Sequence, residues 1–240
     1  LAKRVIEIFP KHTTYVEAFA GGAQVFFRKE PSKVEVLNDL DGEIVNFYRV
    51  CQSHYEELVR YFRFVVVSRN WFDLMRATDP ATLTDIQRAA RYLYLLRNCF
   101  ASLVRNPVYH RNVIQPPSFN LERLPELIEN AHKRLERVQI ECASYDEIIT
   151  RFDRPTTLFY LDPPYWGRKL YRYNFDKADF EKFAERLGKV RGKFVLSLND
   201  VPEVRALFRR FHIKEVELHY TSQKHAGRRY REVLITNFKR

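Results

Sequence analysis

The sequence is poor in everything that would place it in a membrane or a secreted framework. Its clean apolar runs, such as 64–67 and 158–161, fall far short of the ~20 residues that cross a bilayer. The opening LAKRVIEIFPKH mixes charge with apolar groups and lacks the ~7 to 15 residue apolar stretch of a secretory signal. Cysteine is scarce: Cys51, Cys99 and Cys142 are odd in number, widely spaced and form no CxxC pair. That pattern excludes a disulfide scaffold, argues against a zinc site, and fits a reducing compartment, with the cytoplasm as default. Internal repeats, low-complexity tracts and flexible linkers are also missing. Acid is in deficit, with 30 Asp and Glu against 41 Lys and Arg, for a formal net charge of +11.

What is present describes a folded body. At 240 residues one large domain, or one domain with a substantial insertion, buries roughly 70 to 75% of the unfolded surface. A content of 45% hydrophobic residues with 19 Phe and 14 Tyr is unlike a disordered basic tail. The positive charge is localised, because residues 166–240 hold 19 Lys and Arg against 9 Asp and Glu. Two stretches concentrate it. TSQKHAGRRYR (221–231) carries Lys224, Arg228, Arg229 and Arg231 without an acid, and Arg168, Lys169 and Arg172 follow a DPPY tetrad.

Hydrophobic periodicity predicts an alternating α/β chain. A short buried strand at 14–19 runs into Gly21-Gly22 and a helix-compatible stretch at 24–28. A second strand at 34–37 ends in Asn38-Asp39, and 40–64 has helical spacing. The alternation stops between 64 and 137, where helices at 85–100 and 121–137 flank a Pro-rich loop, as expected of an insertion. It resumes with strand 138–142, helix 145–151, strand 156–161, helix 177–189, strand 193–198 and helix 201–208. Strands near 212–220 and 232–238 close the chain. The expected division is therefore a core in two parts, 1–63 and 138–240, around a helical insertion, 64–137.

Two motifs carry chemistry. The glycine turn after the first strand, with Asp39 ending the second, has the logic of a nucleotide pocket: glycines admit the ligand to the backbone, and a strand-end carboxylate accepts from ribose hydroxyls. The spacing is not GxGxxG, and a GG turn also serves as plain punctuation. More specific is Asp162-Pro163-Pro164-Tyr165 directly after the apolar TLFYL. Two prolines continue neither a strand nor a helix interior, so the chain leaves the sheet in a stiff loop that holds Asp162 and Tyr165 in place.

With these residues the sequence resembles the S-adenosylmethionine-dependent amino-methyltransferases, in particular the Dam-type (D12 class) DNA adenine-N6 methyltransferases. The resemblance lies in VEAFAGGAQVFF (16–27), VLNDLDGEIVNFYR (36–49), FYLDPPYWG (159–167), NFDKADF (174–180), FVLSLNDVPEVRALF (194–208) and EVLITNF (232–238). It implies a class I methyltransferase-like, Rossmann-like α/β fold, with a mostly parallel sheet ending in an antiparallel strand and a helical target-recognition insertion. The implied reaction moves a methyl group from S-adenosylmethionine to the exocyclic amine of an adenine flipped out of double-stranded DNA. No metal is implied, and a monomer is the default.

The resemblance also distributes roles. Glu17, Phe19, Gly21, Gly22, Asp39, Tyr145 and Asp162 fall to the cofactor pocket, with Ser144 a departure where many relatives have Asp. Asp162, the Pro163 carbonyl and Tyr165 fall to the target amine and base, and Phe175 either to the base or to ordinary core packing. Arg168, Lys169, Lys224, Arg228 and Arg229 are expected to meet phosphates. Base readout is expected from the insertion, with Arg97, Arg105 and Arg111 as candidates beside Arg91, Asn106, His110 and Asn112. The glycine-containing hairpin of relatives that read GATC is not evident in 106–120, so a GATC site is unsupported and a relaxed or different specificity of phage or restriction-modification type is at least as well supported. The Gly-Gly-Lys element that the resemblance places before the glycine strand is absent from the sequence, so either the chain is trimmed or the pocket is incomplete. DPPY reports amine chemistry rather than the polymer, so methylation of adenine in RNA or of another amine stays open, and the missing Gly-Gly-Lys element leaves open a catalytically silent nucleic-acid-binding remnant.

Overall fold

The computed structural model describes residues 1–99, 107–109, 119–169, 171–219 and 229–239, without the side chains of residues 218, 219, 229 and 230. Its strands are β1 (Thr14–Glu17), β2 (Val34–Asn38), β3 (Gln139–Glu141), β4 (Thr157–Leu161), β5 (Lys193–Asn199), β6 (His212–His219) and β7 (Arg229–Thr236). They form one sheet in the order β3-β2-β1-β4-β5-β7-β6. β1 runs parallel to β2 and β4, and β4 parallel to β5. β7 is antiparallel to both β5 and β6, between which it lies. This is the class I methyltransferase-like sheet implied by the resemblance, with its reversed strand inside the edge rather than at it.

The local sequence accounts for the layering. Every residue of β4, TLFYL, is buried, as expected of a central parallel strand covered on both faces. Alternation then sorts the two faces. Val16, Phe159, Leu161, Phe194, Leu196, Leu198, Val233 and Ile235 pack on one face with Ile148, Ile149, Phe180, Phe183, Leu187, Val204 and Phe208. These come from α7 (Tyr145–Phe152), α8 (Lys177–Leu187), α9 (Pro202–Leu207) and the turn beyond it. The opposite face carries buried polar side chains in neighbouring strands: Tyr15 and Glu17, Tyr160, Ser197, and Glu232.

Two compact units result. One comprises Leu1–Leu40, Glu141–Lys169 and Tyr173–Arg240, the other Asp41–Ile140 with Leu170–Arg172. The second holds α2 (Gly42–Ser53), α3 (Tyr55–Phe62), α4 (Arg69–Ala77), a 3-10 turn (Pro80–Thr82), α5 (Asp85–Asn98) and α6 (Leu124–Leu135). Asp41 caps α2, Ser68 caps α4, and Thr84 with Gln87 forms a capping box on α5. The helical unit thus opens at Asp41, not at 64. The reason is packing: α2 and α3 lie against α5 and α6, and Gln52 Nε2 donates to the Leu135 and Val138 carbonyls at 2.7 and 2.9 Å.

Other local expectations also change. The 40–64 helix is two helices broken at His54, and α1 (Ala2–Glu7) and α4 were not anticipated. Residues 24–28 form turns rather than a helix. There the Phe26 N–H donates to Glu17 Oε1 at 2.7 Å, so the backbone ladder of a helix is diverted to a side chain. Among the described residues, no helix is long and apolar enough to cross a membrane.

The turn into β5 is tight. Asp153 accepts from the Arg191 and Gly192 N–H groups, and a Cβ on Gly192 would lie 2.8 Å from the Thr157 carbonyl oxygen and 2.9 Å from that of Arg154. Both neighbours are backbone and do not yield. Gly192→Ala is therefore expected to destabilise the protein by about 1 to 3 kcal/mol, read as a lower urea midpoint at unchanged slope.

Candidate active site

β1, β2 and β4 are parallel neighbours, so the loops leaving their C-terminal ends emerge along one sheet edge, where ligands bind in open α/β sheets. At the end of β1 the chain bends through Gly21 with φ +46° and Ala23 with φ +45°. The left-handed region suits glycine but costs an alanine about 1 kcal/mol or more. Three contacts hold the bend. Ala20 N donates to the Asn38 carbonyl at 2.8 Å, Gly21 N to Asp39 Oδ2 at 2.8 Å, and Phe26 N to Glu17. Among the described residues nothing lies within 4 Å of where a Gly21 Cβ would stand, so the backbone there faces open space.

Asn38, buried to 1% exposure, joins this turn to the next loop. Its Nδ2 donates to the carbonyls of Ala18 and Ala143 at 2.9 and 3.0 Å, and its Oδ1 accepts from Ala143 N at 2.9 Å. Ser144, the departure from the relatives' Asp, is the N-cap of α7 in a capping box with Glu147. That cap starts the helix at Tyr145, whose ring lies 5.7 Å from Phe19 and 5.6 Å from Phe175 between centroids. Phe19, Tyr145 and Phe175 form a half-buried aromatic wall backed by Phe183. Phe175 is thus grouped with two side chains expected at the cofactor.

The loop leaving β4 is held by β5 and β7. Ser197 Oγ donates to Asp162 Oδ1 at 2.8 Å. Asn199 grips the Trp166 peptide twice, accepting from its N–H at 2.9 Å and donating to its carbonyl at 3.2 Å. Tyr165 Oη donates to Glu232 Oε1 at 2.8 Å. Asn199 and Glu232 are register partners across β5 and β7. Ser197, Asn199 and Glu232 were not singled out from the sequence. The available signal was polarity out of place: Ser in the apolar run KFVLSLN and Glu leading the apolar EVLIT.

Three carboxyls share this region, and burial sets their acidity. Desolvation raises Glu17, 1% exposed, to about 8, against the hydrogen bonds from Tyr15 Oη and Phe26 N; the Asp162 charge adds to the rise. Desolvation also raises Glu232. Asp162 is crowded by protein, which pushes its pKa up, with the Ser197 hydrogen bond opposing and the Glu232 charge assisting. The Asp162 residue is nonetheless exposed, which leaves it accessible to an incoming hydrogen-bond donor.

The other expected contacts are more scattered. Arg168 and Lys169 are exposed just beyond Gly167, whose φ is +72°. Arg97 is exposed on α5. Arg91 is spent on packing: its guanidinium donates to the Met75 and Arg76 carbonyls at the end of α4, at 2.7 and 3.3 Å, which withdraws it from the candidates for base readout. Arg105, Asn106, His110, Arg111, Asn112, Lys224 and Arg228 lie outside the described residues, as does the side chain of Arg229. Among the described residues no group of His, Cys, Asp or Glu is placed to hold a metal ion.

A sheet of this order, with a glycine turn, an Asn-Asp end and an Asp-Pro-Pro-Tyr loop on adjacent strands, defines a class I methyltransferase domain built for an amino acceptor. Residues 1–222 match the family of D12 class N6 adenine-specific DNA methyltransferases, and the chain belongs to that family. It is 26% identical to the type II methyltransferase M1.LlaDCHI of Lactococcus lactis subsp. cremoris, over 95% of this chain and 87% of that protein. It is 24% identical to the type II methyltransferase M.CviBI of Paramecium bursaria Chlorella virus NC1A, over 98% and 92%. Likeness to the DNA N-6-adenine-methyltransferase of Escherichia phage P1 is 27% over 68% of this chain but 22% of that longer protein. The protein is an enzyme of site-specific adenine methylation in DNA.

A buried acid with a raised pKa has a stability signature. Unfolded Glu17 ionises near 4.5 and folded Glu17 near 8, so the native state binds more protons between these values and its stability falls as pH rises through that window. Glu17→Gln removes this dependence. The difference in unfolding free energy, wild type minus variant, should decline from pH 4.5 to pH 8; a difference independent of pH would refute the buried neutral acid.

Proposed function

We propose that the protein transfers the methyl group of S-adenosylmethionine to the N6 amine of an adenine extruded from double-stranded DNA, with Asp162, the Pro163 carbonyl and Tyr165 receiving the base. The observation that carries this reading is the separate anchoring of Asp162, Tyr165 and Trp166 by Ser197, Glu232 and Asn199. A loop fixed at three points, beside a glycine turn that faces open space, is a preorganised receiving site.

The chemistry needs such placement. The adenine amine shares its lone pair with the ring and is a poor nucleophile, so the site must favour a pyramidal nitrogen. Acceptors on both N–H bonds do this. Asp162 supplies one and the Pro163 carbonyl the other. A carboxylate is far too weak a base to deprotonate an aryl amine outright, even with a raised pKa, so Asp162 orients rather than abstracts. Holding amine and methyl donor in line contributes ~7 to 11 kcal/mol through effective molarity. Extruding the base costs a few kcal/mol, and stacking on Tyr165 returns ~1 to 3 kcal/mol of it.

The residues at the strand ends fit the methyl donor. Gly21 and Gly22 admit it to the backbone, Asp39 reaches its ribose hydroxyls, and Phe19 and Tyr145 offer an apolar wall for its adenine, with Phe175 continuing that wall. S-adenosylmethionine, when bound, supplies an electrophilic methyl on sulfur. Glu17 acts from below by holding the turn through Phe26 N. Arg168 and Lys169, with Lys224, Arg228 and Arg229 of the basic segment, meet phosphates, and the helical unit reads bases through Arg97, Arg105 and Arg111. The bacterial and phage sources of its relatives support action in the cytoplasm, in a restriction-modification or phage setting, with a monomer as the default.

Two measurements test this assignment. Asp162→Ala should abolish incorporation of labelled methyl groups into duplex DNA while leaving DNA affinity nearly unchanged; a wild-type rate removes Asp162 from the chemistry, and preferential labelling of RNA redirects the acceptor. Neutralising Arg168 and Lys169 together should weaken binding alike on all sequences and flatten the salt dependence by about 0.9 for each phosphate no longer neutralised. An unchanged salt slope rejects the phosphate role.

A further inference from the structure

Glu232 is 3% exposed, at the start of the apolar run of β7, and among the described residues one of its oxygens has no hydrogen-bond partner although it is buried. Its other oxygen accepts from Tyr165 Oη at 2.8 Å. Glutamate is rarely this buried, and an unsatisfied buried carboxyl oxygen costs stability. As a structural element it is a poor choice: an apolar side chain of similar size would fill the same strand position without the desolvation cost. The group its carboxylate does hold is the ring expected to face the target base.

We propose that Glu232 is the positioning residue for Tyr165, holding the phenol by its hydroxyl so that the ring face is fixed for stacking on the extruded adenine. This rests on the reading of Tyr165 as the stacking platform. A phenol ring pivots about two side-chain torsions. A bond at its far end removes that freedom before the base arrives. The proline pair fixes the backbone on one side of Tyr165, and Asn199 fixes it at Trp166 on the other. Glu232 then fixes the side chain. Because Asn199 and Glu232 are register partners, backbone clamp and ring clamp move as one piece.

The test is a double-mutant cycle on Glu232→Leu and Tyr165→Phe. It is read by steady-state kinetics on duplex DNA and by the fluorescence of 2-aminopurine at the target position, which brightens when the base leaves the stack. Each single variant should lower kcat/KM and the flipping signal by about two- to tenfold, the size expected for one hydrogen bond. The double variant should be no worse than the poorer single one. Additive losses, or a wild-type flipping signal in either single variant, overturn the proposal. Should Glu232→Leu fail to fold, Tyr165→Phe alone decides, because it deletes the same bond from the other side. Tyr165→Ala separates the two levels: if it flips the base as wild type does, the stacking platform itself is wrong, whereas loss there with none in Tyr165→Phe refutes only the role of Glu232.

Discussion

The loop leaving β4 depends on three side chains that it does not contain. Ser197 and Asn199 reach it from β5, and Glu232 from β7. Two prolines restrict the backbone but aim nothing. Aim comes from polar side chains on otherwise apolar strands, each placed by the sheet's register. The rest of the region follows the same plan: Asn38 and Asp39, at the end of β2, hold the glycine turn that leaves β1. Each functional loop takes its shape from the strand beside it, so the sheet is an aligning device as well as a core.

This arrangement has an energetic logic. The sheet face under α7, α8 and α9 is apolar and close-packed. The other face holds Tyr15, Glu17, Tyr160, Ser197 and Glu232, all buried. Hydrogen bonds between buried polar groups contribute little net stability, but they admit few alternative geometries. Separating stability on one face from placement on the other allows acids with raised pKa values at the strand ends. A single mixed face would set the two requirements against each other.

Much of this was legible in the residues. Period-two alternation and the length of TLFYL located β4, and Asp162-Pro163-Pro164-Tyr165 marked its exit. The glycine pair and Asn38-Asp39 marked the other two strand ends. What escaped was long-range. Residues 24–28 have helical spacing, but Phe26 N turns to Glu17 nine positions earlier. Helices α2 and α3 follow β2 as a crossover would, yet pack with α5 and α6, a choice between partners that periodicity does not encode. Ser197 and Glu232 resemble imperfections in hydrophobic strands until their neighbours are known. Arg91 looked like any other basic residue of the insertion, and only the carbonyls at the end of α4 show how it is used.

The reversal of β7 has a consequence for how this enzyme tolerates change. Parallel strands deliver their last residues to the working edge, whereas β7 delivers one of its first, Glu232, shortly after the basic segment. Side chains alternate strictly along a strand. A one-residue insertion or deletion absorbed by shifting β7 against β5 would bury Glu232 among the phenylalanines and turn Val233 toward Tyr165. Length variation in the basic segment that precedes β7 is thereby confined to changes that leave the β5–β7 pairing in place, and divergence there is steered toward substitution.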